Sequence, residues 1–309
     1  MAVPRSVLDP AGASVVVQPA RAVDDQTVKA RLAFAAREIH RNPLTLFGLC
    51  VVVALVLLAI FAPLVAPYDP IAIDLRGRLQ PPTWTHWMGT DEVGRDILSR
   101  VVYGARVSLQ TGLIVVGVAG TIGGLLGAAC GYIRGLLDEV VMRTLDVVMA
   151  FPSLILALAI AAMLGPSLVN AVIALAVVQI PRYTRLARGE ALQLRELQFV
   201  LAARALGASH ARVVLRHIIP NSLSSLIVMA TLGFGQVILY AASLSFIGLG
   251  VQPPTPEWGA MVSIGRKYVQ EQWWYSTFPG LAIFVVVVAF NVFGDGLRDI
   301  LDPRWRRRG

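Results

Sequence analysis

Residues 197–221, LQFVLAARALGASHARVVLRHIIPN, form the longest polar-interrupted segment in the second half of an otherwise apolar chain. Four of its side chains recur at helical spacing and predict a short helix with one shared face: Phe199, Ala202, Ala203 and Leu206. Gly207 predicts the end of this helix, because glycine adopts the left-handed conformation of a helix terminus without a Cβ penalty. A basic turn follows, and Pro220 predicts the entry into the next apolar run. The segment is therefore predicted to be a helix–glycine–helix–proline unit.

The composition around this segment is that of a polytopic membrane protein. Of 309 residues, 56% are hydrophobic and only 15% are charged, against about 25% charged in an average soluble domain. The mean hydropathy is +0.67. The formal net charge of +8 does not indicate a nucleic-acid partner, because the basic residues are not interleaved with aromatic residues on one surface.

No motif predicts catalysis or metal binding. Cys50 and Cys130 lie inside apolar runs, so no disulfide framework is indicated, and the four histidines lack metal-ligand spacing. The chain has no phosphate-binding loop of the GxxxxGK[ST] type, and GLGVQPPT at 248–255 is not followed by a lysine and a helix. The serines have no paired histidine and carboxylate. We therefore expect no cofactor, no metal and no catalytic residue in this chain.

The order of apolar runs predicts six transmembrane helices. Residues 1–26 are predicted to be a disordered tail, 27–43 a helix lying on the membrane surface (or a solvated helix), and 44–67 the first span. A polar connection over 68–106 follows. The core is assigned to 107–297, with its loop at 187–217, and 298–309 is the second tail. The remaining spans are predicted at about 108–131, 147–165, 168–186, 222–245 and 277–294.

Proline and glycine positions add detail to these spans. Pro152 and Pro181 predict kinks, because proline removes a helix hydrogen bond. Gly120 with Gly124, and Gly123 with Gly127, have the spacing that lets two helices approach closely.

The distribution of Lys and Arg predicts the orientation. With the N-terminus inside, the inside segments hold 20 basic residues and the outside segments hold 7. The positive-inside rule therefore places both termini and the 187–217 loop in the cytoplasm, and 68–106 outside.

Polar side chains within the spans are candidates for a translocation path, because they are costly against lipid. The candidates are Asn170, Gln179, Gln236, Tyr240, Ser243 and Asn291. All are uncharged, so interhelical hydrogen bonding is an equal alternative.

Charged residues ahead of the second span also have two interpretations. Asp91, Arg95, Asp96 and Arg100 stand at helical spacing, which favours ion pairs along a helix. The alternative is a contact or gate beneath a binding protein.

Several motifs resemble the permease subunits of binding-protein-dependent ABC importers. In the 197–221 segment Ala202, Ala203, Gly207 and Pro220 match the coupling loop of that family, whereas Leu201 stands where Glu is usual. Three stretches resemble, more specifically, the group of importers for dipeptides, oligopeptides, glutathione and nickel. They are GTDEVGRDILSRVVYGARVSL (89–109), AASLSFIGLGVQPPTPEWGAM (241–261) and GDGLRDILDPR (294–304). The chain looks like the C-type subunit of this group.

The resemblance implies an all-α, six-span type I importer permease in a prokaryotic cell membrane, taking up di- or oligopeptides or glutathione. Its partners would be membrane lipid, a paralogous B-type permease in a heterodimer, an extracytoplasmic binding protein and two ATPases, which would hold ATP and Mg. The ATPases would be contacted by Phe199, Ala202, Ala203, Arg204, Leu206, Gly207 and Pro220. For Arg204, Arg212 and Arg216, anchoring to anionic lipid is the alternative.

Two further alternatives for the whole chain stay open. One is an importer of nickel or another small solute within the same group. The other, of a different class, is a self-sufficient secondary transporter or a membrane enzyme. That class would require an intramembrane carboxylate, inverted repeats or clustered catalytic residues, and none is evident in the sequence.

Overall fold

A computed structural model describes residues 6–8, 14–16 and 42–301. The chain divides into two units, Met1–Arg41 and Asn42–Gly309. In the first unit, strands β1 (Ser6–Leu8) and β2 (Ser14–Val16) pair antiparallel. The all-α prediction is confirmed for residues 42–301, to which these two short strands do not belong. The disorder expected over 1–26 stays a prediction. Three parts of the chain lie outside the described residues. They are the rest of that segment, the part of the predicted surface helix (27–43) that precedes residue 42, and the tail from residue 302 onward.

The second unit is helical. Its helices are α1 (Pro43–Ile60), α2 (Ala62–Val65), α3 (Ile97–Ile133), α4 (Leu136–Met149), α5 (Ser153–Leu164), α6 (Leu168–Leu194), α7 (Gln198–Ala205), α8 (His210–Val213), α9 (Ile219–Phe246), α10 (Trp258–Gly265) and α11 (Trp274–Leu301). A π turn, Val214–Ile218, joins α8 to α9.

Helices lie at each of the six predicted spans, but they differ in length and in apolar character. In the described part of the chain, α1, α3, the continuous run His210–Phe246 and α11 are long and apolar enough to cross a membrane. The bent pair α4–α5 makes a fifth span if it is counted as one. Helix α6 is apolar only in its first half, because its second half carries three arginines.

The kink predicted at Pro152 is confirmed, as a complete break within the third predicted span, 147–165. Helix α4 ends at Met149, α5 begins at Ser153, and their directions differ by 91°. Pro152 explains the break, because proline lacks the N–H of an interior helical residue and disfavours helical geometry in the residue before it. With 12 residues, α5 is about 18 Å long, short of the roughly 30 Å of hydrocarbon. At Pro181, by contrast, α6 continues without interruption.

Helices α3 and α6 pack with their backbones in close approach. A Cβ added to Gly123, Gly127 or Gly131 would lie 2.8, 2.1 or 2.5 Å from a carbonyl oxygen of α6. These oxygens belong to Ile180, Thr184 and Arg188 and repeat every four residues, in step with the glycines. The small-residue pair predicted at Gly123 and Gly127 is thus confirmed as a helix contact. Residues of α1, α5, α9, α10 and α11 complete the larger buried core around α3 and α6, in which the Phe234 and Phe290 rings of α9 and α11 stack 4.2 Å apart.

One end of this bundle is closed by the charged cap, defined as residues 68–100. The fully buried Asp91 carboxylate accepts a hydrogen bond from Arg95 Nε at 2.6 Å and lies 3.6 Å from Arg100 Nε. Arg100 Nη1 donates to the carbonyls of Pro70 at 2.8 Å and Pro254 at 3.3 Å. The predicted ion pairing is confirmed, but the helix predicted for it begins only at Ile97, so 91–96 pair across a turn.

Beside the cap, Glu257 caps the first turn of α10 from a fully buried position. Its carboxylate accepts hydrogen bonds from the backbone N–H groups of Gly259 at 3.0 Å and Ala260 at 2.8 Å. Burial raises the pKa of this carboxyl above its ordinary value near 4.5, and the two donors only partly oppose the shift. A raised folded-state pKa means that stability is present below the unfolded pKa and is lost as pH rises through the folded pKa.

The Glu257→Gln variant is therefore expected to lose less stability than the parent between pH 5 and pH 8. The two N–H groups donate to different carboxylate oxygens, so glutamine keeps an oxygen for only one of them, but it cannot ionise and its own contribution is independent of pH. Thermal unfolding in detergent at the two pH values measures the difference, with Glu271→Gln, at an exposed position of the neighbouring loop, as control. An identical pH dependence in parent and Glu257→Gln would contradict the expectation.

Candidate functional site

Helix α7 ends as the sequence predicts. Gly207 has φ +82, in the left-handed region. Its N–H donates to Arg204 O at 2.9 Å, and the N–H of Ala208 donates to Ala203 O at 3.0 Å. These two bonds are the pair that defines a Schellman terminus, which satisfies carbonyls that the helix would otherwise leave free. The turn after α7 is thus held by backbone geometry that favours glycine.

A buried cluster attaches α7 to the rest of the unit. Val200, the inward residue of α7, is 0% exposed. It packs in a cluster with residues from the end of α3, the end of α6 and the α8–α9 run: Ala128, Tyr132, Ala191, Val213, Val214 and Ile218. Arg195 Nη1 adds a hydrogen bond to Tyr132 O at 3.0 Å. Helix α7 is therefore packed against the ends of α3, α6 and the α8–α9 run.

The opposite face of α7 is apolar and exposed. Five of the predicted contact residues are exposed in α7 or directly after it: Phe199, Ala202, Arg204, Leu206 and Gly207. Ala202 lies opposite the buried Val200, whereas Arg204, four residues after Val200, lies on the same side of the helix. Ala203 is half-buried. Leu206 is 89% exposed, and Leu201 adds a further exposed apolar side chain where the resemblance leads one to expect Glu. An apolar patch of this kind, carried on a rigid support, is typical of a surface that binds another protein.

Pro220 is the one predicted contact residue that lies apart from this face. It is exposed in the first turn of α9. It stands at the entry into the apolar run, as predicted, and the helical run His210–Phe246 continues through it without interruption. The π turn ahead of it, closed by Ile219 N–H to Val214 O, adds one residue to the helix and accommodates the missing proline N–H.

A polar groove of about 760 Å³ opens between α6, α9 and the end of α11. Gln179 and Gln236, two of the predicted path residues, line it. Tyr240 Oη accepts a hydrogen bond from Gln236 Nε2 at 2.9 Å. The structure therefore brings three of the six candidates into one polar group.

The other three candidates bond to backbone carbonyls instead. Asn170 Nδ2 donates to Leu164 O at 2.8 Å and Gly165 O at 2.9 Å, which closes the turn between α5 and α6. Ser243 Oγ and Asn291 Nδ2 each donate to the carbonyl four residues earlier in their own helix. For these three residues, the geometry favours the alternative interpretation of structural hydrogen bonding.

Sequence reasoning missed the charged residues of the groove. Arg182, Glu190 and Arg298 line it, whereas the arginines had served only to predict orientation. A signal was available, because Gln179, Tyr183, Leu186 and Glu190 recur at i, i+4, i+7 and i+11, on one face of α6. Within residues 42–301, no group of three or more His, Cys, Asp and Glu side chains is arranged to hold a metal ion.

Comparison with family models and known proteins gives a consistent result. Residues 123–307 match the family described as the binding-protein-dependent transport system inner membrane component. Residues 33–82 match the N-terminal TM domain of oligopeptide transport permease C.

Named relatives are similar over most of their length. The chain is 53% identical over 263 residues to the probable D,D-dipeptide transport system permease protein DdpC of Escherichia coli K12, covering 85% of this chain and 88% of the relative. It is 47% identical over 272 residues to the dipeptide permease DppC of Alkalihalophilus pseudofirmus, covering 88% and 90%. It is 45% identical over 269 residues to the glutathione permease GsiD of Escherichia coli O6:K15:H31, covering 87% and 89%.

Among solved structures, a chain of the inward-facing MetNI methionine ABC transporter is similar in fold. The TM-score is 0.52 at 19% identity, over 66% of this chain and 97% of that chain. The type I importer fold expected from the sequence is thereby confirmed.

Proposed function

Because this chain belongs to the family of binding-protein-dependent transport system inner membrane components, we propose that it is the C-type permease subunit of an ATP-driven importer of short peptides. The relatives at 45–53% identity are named for dipeptides, D,D-dipeptides and glutathione, which supports di- or oligopeptides or glutathione as cargo. The structural observation that carries the proposal is the exposed apolar face of α7 on its buried support.

In this role, α7 docks in a groove of a cytoplasmic ATPase. The requirement is stiffness and fit rather than acid–base chemistry, because ATPase dimerisation moves the helix as a rigid body. Val200 and its cluster join α7 to α6 and α9, and these two helices form the walls of the polar groove. A displacement of α7 is therefore expected to open or close the groove.

The assembly contains further subunits. We infer a paralogous B-type permease that completes the path, two ATPases that hold ATP and Mg, and an extracytoplasmic binding protein above the charged cap. This chain itself is a non-catalytic subunit. Both termini and α7 lie in the cytoplasm, as the 20-to-7 distribution of basic residues favours. Arg100 and Tyr132 stand near opposite ends of α3, so the cap and the α7 support are on opposite sides of the membrane.

Replacing Gly207 with valine tests the coupling role. No atom lies within 4 Å of a Cβ at this position, so no clash follows. The left-handed conformation at φ +82, however, costs a non-glycine residue roughly 1–2 kcal/mol and favours a rearranged turn. The variant is expected to fold and insert, and to hydrolyse ATP in the assembled complex while peptide uptake falls about tenfold or more.

Gly248→Val is the matched control. Gly248 is also exposed, has φ +90 and has no atom within 4 Å of an added Cβ, but it follows α9 near the charged cap. Uptake and ATP hydrolysis are measured together in proteoliposomes that contain the purified complex and its binding protein. Parent-level uptake per ATP in Gly207→Val would refute the coupling assignment.

A further inference from the structure

The groove between α6 and α9 contains two half-buried charges of opposite sign that are not paired. Among residues 42–301, neither Arg182 nor Glu190 lies within 4.0 Å of an opposite charge. Their neighbours on α6 differ, since Arg185 pairs with Asp146 and Arg188 makes a two-point contact with Asp138 at 2.5 and 2.7 Å. On α6, therefore, Arg185 and Arg188 have ion-pair partners, whereas the two charges in the groove have none among the described residues.

Each groove charge is nevertheless held in place by a neutral partner. The Arg182 guanidinium donates to Gln236 Oε1, and Gln236 is itself bonded to Tyr240. The Glu190 carboxylate accepts from Ser225 Oγ at 2.7 Å. By the predicted topology, Arg182 and Glu190 lie at the cytoplasmic end of α6, so the groove is the inner mouth of a path rather than its midpoint. A half-buried charge without an ion-pair partner is costly unless another group compensates it. In each case a neutral partner fixes the orientation of the charged group without neutralising its charge. This arrangement is expected of a group that binds a charged ligand.

The spacing of the two charges fits a short peptide. They are eight residues apart on α6, which places their backbone positions about 12 Å apart along the axis. An extended chain spans about 3.3–3.6 Å per residue, so the two ends of a tripeptide lie roughly 10 Å apart. The groove volume of about 760 Å³ is also within the range of small-molecule sites.

We propose that Arg182, with Gln236, binds the α-carboxylate of the passing peptide and that Glu190, with Ser225, binds its α-ammonium group. A guanidinium is suited to the first task, because its N–H fork matches a carboxylate in two-point geometry. The recognised feature is the pair of free termini at the separation of a tripeptide, so side chains of different sizes are accepted. This inference rests on the proposed peptide-importer function and assigns a role to residues within the path.

The test compares peptides with free and blocked ends in the complete complex. Proteoliposomes containing this chain, its partner permease, the ATPases and saturating binding protein are supplied with trialanine, trialanine amide or N-acetyl trialanine. Selectivity of the binding protein is the same for every permease variant, so it cancels when uptake ratios are compared between variants. Arg182→Gln is expected to lower the trialanine-to-amide ratio about tenfold, and Glu190→Gln to lower the trialanine-to-acetylated ratio similarly.

Two further variants separate recognition from structure. Arg185→Gln removes a guanidinium from the same helix that is exposed and paired with Asp146, and is expected to leave both ratios unchanged. Arg182→Lys keeps the cation but loses the two-point N–H fork, and is expected to give a trialanine-to-amide ratio between those of the parent and of Arg182→Gln.

Equal loss of free and blocked peptides in Arg182→Gln and Glu190→Gln would overturn the inference, as would unchanged ratios. Loss of the second permease from purified Arg182→Gln would also overturn it, since Arg182 would then serve the subunit contact. Failure of the parent complex to take up any peptide would instead overturn the proposed function.

Discussion

Gly127→Leu is expected to prevent stable packing of α3 against α6. An added Cβ would lie 2.1 Å from Thr184 O and 2.9 Å from both Ala187 Cβ and Arg188 N. Two of these three atoms are backbone, so no side-chain rotation relieves the clash and the helices must separate. We expect a loss of at least about 3 kcal/mol in unfolding free energy, at the upper end of overpacking costs. Size-exclusion profile and thermal unfolding in mild detergent measure it.

The matched control is Gly117→Leu in the same helix. Gly117 is exposed and has no atom within 4 Å of an added Cβ. The Gly117→Leu variant is expected to match the parent in yield and melting temperature, since leucine at a lipid-facing position is favourable. Similar behaviour of the two leucine variants would contradict the close-packing explanation for the glycine series.

Asp91→Asn is expected to destabilise the charged cap by about 3–5 kcal/mol, the cost of removing one partner from a buried ion pair. Asparagine keeps an oxygen for the N–H groups of Val93 and Arg95, which now donate to Asp91 Oδ1 at 3.0 and 2.9 Å. It removes the charge facing Arg95 Nε at 2.6 Å and Arg100 Nε at 3.6 Å. Arg100 is 3% exposed and would lose its nearest carboxylate.

Thermal unfolding of the purified chain measures this effect, with an expected fall in melting temperature of roughly 10 °C. Asp69→Asn is the control. Asp69 is exposed in the same segment and accepts a hydrogen bond from Ile71 N at 2.9 Å, which asparagine also accepts. An equal effect of the two substitutions would show that the buried charge of Asp91 contributes nothing special to the cap.

Much of the fold was accessible from the sequence because the signals are local. A run of apolar residues long enough for the bilayer predicts a span wherever it occurs. Five of the six runs each coincide with one main helix, and the run 147–165 is divided between two. Gly207 ends α7 because the left-handed conformation belongs to one residue and its neighbours. The helical period likewise predicted which side chains share the outer face of α7.

Local signals were insufficient where the outcome depends on distant partners. Proline predicts a kink, but the same residue type gives a 91° break at Pro152 and an uninterrupted helix at Pro181. The charged half of α6 extends past its predicted end and pairs with α4, where Arg188 contacts Asp138 fifty residues away. The local sequence around these residues does not reveal which helix packs against them.

The candidate path shows the same division most clearly. A polar residue in a span can donate to its own helix carbonyl, as Ser243 and Asn291 do, or accept from a neighbouring helix, as Gln236 does from Arg182. Sequence by itself determined the spans, the polar residues within them and the α7 turn, because these follow from composition and short-range backbone geometry. Only the tertiary structure decided which polar and charged groups share a groove, because that depends on the packing of α6 and α9 against each other.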